Sequence, residues 1–76
     1  MTNQPYEYVE RYTNGFDVDL AYPGKTVSFR VVYEEGTISV GTRTIDGNYD
    51  YDIDIPEEYL IIIKKLCKSI HNVELA

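Results

Sequence analysis

The sequence predicts an α+β domain: a five-stranded antiparallel meander with one C-terminal helix packed on one of its faces. Three observations point there. Four turn signals, Asn14-Gly15, Pro23-Gly24, Glu34-Glu35-Gly36 and Asp46-Gly47, cut the first 55 residues into short runs rich in Tyr, Val, Ile, Phe and Thr. The last run, Tyr49-Asp50-Tyr51-Asp52-Ile53-Asp54-Ile55, alternates apolar and aspartate residues, the period-two mark of a half-buried strand. After Pro56, the residues Tyr59, Ile62, Ile63, Leu66 and Ile70 recur at i, i+3, i+4 spacing, the stripe of a helix lying on a core.

The runs place strands at about 6–12, 16–21, 26–33, 37–45 and 48–55. Their short connections make neighbours antiparallel, and loop lengths then fix which residues face each other. A two-residue turn at Asp46-Gly47 sets Thr44 opposite Tyr49 and Arg43 opposite Asp50, with the fifth strand as a charged edge that resists pairing. A loop from Tyr33 to Gly36 sets Val31 opposite Ile38 and Phe29 opposite Val40. The Pro23-Gly24 turn sets Leu20 opposite Val27, Val18 opposite Phe29 and Phe16 opposite Val31. A three-residue loop Thr13-Asn14-Gly15 sets Tyr12 opposite Phe16 and Tyr8 opposite Leu20. Apolar rows then line one face, including Tyr8, Tyr12, Tyr49 and Tyr51, while Arg11, Asp17, Arg30, Ser39 and Asp54 line the other.

The helix begins at Pro56, which suits a first helical position and holds Ile55 out of the α region. Glu57 and Glu58 follow where the macrodipole favours anions, and Lys64, Lys65 and Lys68 lie toward the end that favours cations. His71 reads as a helix end with a short frayed tail behind it.

Seventy-six residues make one small domain, residues 1–76. The single Cys67 has no internal disulfide partner, and the N-terminus lacks the apolar core of a signal peptide, so a cytoplasmic protein is expected. The longest apolar run, Tyr59 to Ile63, is far short of the roughly 20 residues that span a bilayer, so no membrane partner is expected. The net charge of −6 comes from residues 1–55, with ten acids against four bases, whereas residues 56–76 hold three of each. That balance argues against direct nucleic-acid binding, which needs a basic face. It suits a partner that is itself basic.

Catalytic chemistry finds little footing. One histidine and one cysteine stand without a base to activate a nucleophile, and Gly36 and Gly41 lie in hairpins rather than in a phosphate-binding strand-to-helix turn. Cys67, on or beside the apolar stripe, reads as a buried, inert thiol. No enzyme and no cofactor are expected. The sharpest metal pattern runs from Asp46 to Glu57: Asp46, Asn48, Asp50, Asp52, Asp54 and Glu57 fall at positions 1, 3, 5, 7, 9 and 12 of a calcium loop. Tyr51 stands where such a loop needs glycine, and a strand precedes it in place of a helix. Any alternating acidic strand fills those odd positions.

The predicted register gathers acid at one end of the molecule, where Tyr33, Glu34, Glu35, Asp52, Asp54, Glu57 and Glu58 form the candidate partner-binding set. Tyr33 serves there as an aromatic anchor among acids. In size and charge the chain resembles the compact acidic inhibitors encoded by phages and mobile elements, some of which imitate the charge of DNA to occupy a nucleic-acid-binding protein. The expected function is a non-enzymatic acidic protein-binding module, an inhibitor of a basic protein. A calcium-binding domain and a structural protein that self-associates into a homodimer are the alternatives.

Overall fold

Turn chemistry lays out the sheet. The computed structural model describes residues 4–73, in which β1 (Tyr6–Tyr12), β2 (Gly15–Tyr22), β3 (Lys25–Glu34), β4 (Thr37–Arg43) and the two-residue β5 (Tyr49–Asp50) form one antiparallel sheet in sequential order, followed by α1 (Glu57–His71). The predicted meander and its closing helix are therefore present. At Pro23-Gly24 the proline and a glycine at φ 85° make the type II combination, and the β2–β3 pairs Phe16–Val31, Val18–Phe29 and Leu20–Val27 match the expectation.

The other three loops differ in length from expectation, each with its own effect on the faces. Between β3 and β4 the turn is Glu35-Gly36, both at positive φ as a type I′ turn requires. Glu34 thus pairs with Thr37, Val31 with Val40 and Phe29 with Thr42, a slip of two that keeps every side chain on its predicted face. Between β1 and β2 the turn is the two residues Thr13-Asn14, so Tyr12 pairs with Gly15 and Tyr8 with Asp19. Between β4 and β5 a three-residue loop, Ile45-Asp46-Gly47, ends on Gly47 at φ 89°, and Arg43 pairs with Tyr49. These two slips of one residue carry Tyr8, Tyr12 and Tyr49 off the core face onto the uncovered one.

The predicted fifth strand over 48–55 also shrinks. It stops after Asp50, whose Oδ1 accepts the Asp52 backbone N–H at 2.9 Å and bends the chain out of the ladder. Tyr51 then lays its ring on Gly41, where a Cβ would sit only 2.9 to 3.1 Å from ring atoms.

Core and helix agree closely with the pattern. Phe16, Val18, Leu20, Phe29 and Val31 from β2 and β3 are buried against Tyr59, Ile63 and Cys67 of α1. Ile62, Leu66 and Ile70 flank them half-buried. Among the described residues no helix is long and apolar enough to cross a membrane. Pro56 is the N-cap rather than the first helical residue, with its carbonyl accepting from the N–H groups of Tyr59 and Leu60. The expected frayed tail is instead a cap: Asn72 is left-handed, its N–H donates to Lys68 O, and Val73 N–H donates to Cys67 O while Val73 packs on the core. Residues 74–76 lie outside the described residues.

His71 is more than a charge at a helix end. Its Nε2 lies 3.1 Å from the Gly15 carbonyl, its ring stacks on Phe16 at 6.3 Å, and the Tyr33 ring meets it edge-on at 5.1 Å. Because a carbonyl only accepts, Nε2 is the protonated ring nitrogen. At the other end of the helix Lys25 Nζ donates to the Tyr59 hydroxyl at 3.0 Å. The axis of α1 thus runs along β3, from Lys25 toward Tyr33.

Phe29 and Ile63 are both buried in this core, so Phe29→Ala or Ile63→Ala is expected to lower unfolding free energy by about 2–5 kcal/mol. Urea denaturation checks it; a loss below about 1 kcal/mol at both positions would contradict the packing described.

Candidate functional site

Two surfaces compete as functional sites: the predicted acidic end and the sheet face that α1 leaves bare. The acidic end does not assemble. Glu57 and Glu58 open α1, and Glu58 shares a shallow groove with Tyr22, Pro23 and Lys25 at the start of β3. Glu34 and Glu35 lie at the far end of β3, beyond Tyr33 and His71. Nine residues at about 3.3 Å each put Lys25 and Glu34 roughly 30 Å apart. Glu34 instead shares a groove with Val32, Ser39 and Tyr51.

Individual members of the predicted set also differ from expectation. Tyr33 belongs to β3 rather than to a loop, faces the helix and buries its hydroxyl beside Cys67, so burial raises its pKa. Its hydroxyl is therefore turned away from solvent, while the residue as a whole is half-buried. Asp52 and Asp54 are exposed in the bent segment after β5. Cys67 is fully buried and burial pushes its thiol up, which removes it from nucleophilic chemistry.

The calcium pattern is dispersed as well. Asp46 is engaged by its own loop, accepting from Thr44 Oγ1, from the Asn48 N–H at 3.3 Å and from Asn48 Nδ2 at 3.1 Å. These bonds hold its carboxyl below the ordinary range, with the Thr44 hydroxyl the largest cause. Among the described residues no three His, Cys, Asp or Glu side chains are grouped to hold a metal ion.

The bare sheet face is where ordered polar geometry concentrates. Arg30 is its hub. Its Nε and Nη2 donate to the two carboxylate oxygens of Asp17 at 2.8 and 3.1 Å, and its guanidinium lies 4.3 Å from the centre of the Tyr49 ring. The Tyr12 hydroxyl donates to Asp17 Oδ2 at 2.6 Å. Asp17 is thereby held below its ordinary 3.8, first by Arg30 and also by Tyr12, against the opposing effect of burial. Tyr12 is raised by the hydrogen bond it gives to Asp17. Strands β1, β2, β3 and β5 all contribute to this one network.

Around the hub the face is tyrosine-rich and open. Tyr6, Tyr8 and Tyr12 are 67, 59 and 38% exposed, and Tyr51 is 45% exposed. A groove of about 280 Å³ between the β1 edge and the network is lined by Tyr8, Glu10, Asp17, Asp19, Arg43 and Tyr49. The sequence held one signal for this surface: Tyr6, Tyr8 and Tyr12 share parity on one strand and must share a face, whichever face that is.

Comparison with known proteins adds no relative: no family model, curated protein or solved structure matches this chain.

The Asp17 network generates a pH signature. A carboxyl depressed in the folded state contributes stability above its ordinary pKa and loses it as pH falls through the folded value. Arg30 is 41% exposed and solvent screens the pair, so Asp17→Asn is expected to cost about 1 kcal/mol at neutral pH. The gap to the unaltered protein should close below pH ~4. Urea titrations at several pH values check both the size and the convergence.

Proposed function

We propose that this chain is a non-enzymatic protein-binding module that engages a basic protein partner through the uncovered sheet face. The observation that carries this reading is the exposure of Tyr6, Tyr8, Tyr12 and Tyr51 around an ordered Arg30–Asp17–Tyr49 network. Tyrosine contributes large contact area with few torsions to freeze and a hydroxyl that bonds at the rim, which suits it to interfaces. The network keeps that face rigid before contact, so less ordering is lost on binding.

Charge sets the partner's chemistry. The protein carries −6 overall, Asp17 is neutralised by Arg30, and Glu10 and Asp19 outnumber Arg43 in the groove beside Tyr8 and Tyr49. A surface bearing lysine or arginine next to apolar groups complements that arrangement, and salt should weaken the contact by screening it. Covering such a surface would block it for other ligands, which is the inhibitory role that size and charge suggest.

Affinity capture with the unaltered chain and with two double variants tests this. Tyr8→Ala with Asp19→Lys should weaken retention of salt-eluted partners about tenfold or more. Glu57→Lys with Glu58→Lys, in the first turn of α1, should change it far less. If the helix variant loses the partners and the face variant keeps them, the acidic helix start is the contact site and the face reading fails.

A further inference from the structure

Beyond the face that meets a partner, the sheet has one long open edge. We infer that β1 pairs with β1 of a second copy of this chain, antiparallel and centred on Val9, to make a continuous ten-stranded sheet. The two edges of the sheet differ sharply. β5 is only two residues long, so it offers little to pair with. β1 has seven residues, every one exposed, and supplies Tyr6, Tyr8, Val9 and Tyr12 among the eight exposed large apolar side chains of the described residues.

Backbone geometry restricts how a second strand can add. The two-residue turn closed by Tyr12 and Gly15 makes that pair mutually bonded, so the even-numbered residues of β1 bond β2. The N–H and C=O groups of Glu7, Val9 and Arg11 therefore point outward. A two-fold pairing must bring these odd-numbered residues opposite one another.

Within that restriction one register stands out, because the strand Tyr6-Glu7-Tyr8-Val9-Glu10-Arg11-Tyr12 complements its own reverse. With Val9 against the partner's Val9, Glu7 faces the partner's Arg11 and Arg11 the partner's Glu7, each pair exchanging both backbone hydrogen bonds. On the tyrosine face, Tyr6 then meets the partner's Tyr12, and Tyr8 the partner's Glu10. Sliding by one allowed step either sets Glu10 against the partner's Glu10 or leaves Arg11 opposite the partner's Pro5. Neither Glu7 nor Arg11 has a hydrogen bond or ion pair to another described residue. Among the described residues, neither has a partner to give up on pairing across the two-fold. Charges on an edge ordinarily guard it; here their signs alternate so that one register satisfies them.

Sedimentation velocity from about 1 µM to about 1 mM, with circular dichroism as a check on folding, tests the pairing. The unaltered chain should pass from monomer to dimer over that range. Glu7→Arg alone sets the introduced guanidinium against the partner's Arg11, and Arg11→Glu alone sets two glutamates together, so each should weaken association about tenfold. Mixing the two single variants in equal amounts should restore it, as should the double exchange Glu7→Arg with Arg11→Glu. Val9→Pro removes an outward N–H without touching the β1–β2 ladder and should leave a folded monomer. A chain that stays monomeric throughout, or single variants whose mixture associates no better than either alone, would overturn the inference. If Val9→Pro does not fold, the charge-exchange set decides by itself.

Discussion

One helix must cover five strands, and it is too narrow to do so. An α-helix with its side chains is roughly 10 Å across, whereas five strands at about 4.8 Å spacing span roughly 19 Å between their outer axes. The stripe of α1, centred on Tyr59, Ile63 and Cys67, therefore settles where it removes most apolar surface from water, over Phe16, Val18 and Leu20 of β2 and Phe29 and Val31 of β3. Everything else follows from that choice. β4 is half-covered through Ile38 and Val40, while β1 is left wholly exposed. Among the described residues no helix or second sheet covers the opposite face.

A sheet bare on one side still has to be held flat and in register, and polar groups do that here. The Arg30 guanidinium uses two donors on Asp17 and its planar surface on Tyr49, a combination that lysine could not reproduce. Tyr12 joins from β1 through Asp17. Since the strands concerned include both edges, this network spans the width of the sheet on the side where the hydrophobic effect contributes least. The grouping that stiffens the sheet is also the centre of the uncovered, tyrosine-rich face.

Much of the fold was legible because parity is robust. The alternation in β2 and β3 and the stripe of α1 point to the same core whichever pairing is chosen, and the Pro-Gly turn admits one length. The slip of two between β3 and β4 left every face unchanged, since a two-residue error preserves alternation. The site was not legible, for a reason visible in two loops. Thr13-Asn14 and Ile45-Asp46-Gly47 each differ by one residue from the lengths their glycines suggest. Gly15 is needed not for a left-handed turn but because a Cβ there would collide with the Val31 carbonyl; Gly47 closes a three-residue loop, not a two-residue turn. One residue in each loop moved three tyrosines across the sheet. The expected acidic end failed differently. It depended on where the helix starts relative to the β3–β4 turn, a long-range relation that no local pattern encodes.

The order of elements along the chain has a consequence for how this protein is made. Its sheet is built from hairpins between sequence neighbours, which close early and locally. The cover for that sheet comes last, because Tyr59, Ile63 and Cys67 all follow β5. During vectorial synthesis, Phe16, Val18, Leu20, Phe29 and Val31 are displayed as an apolar face before the residues that shield them have left the ribosome. A sheet formed before α1 packs would expose its interior, and chaperone engagement or aggregation would act at that stage rather than on the finished molecule.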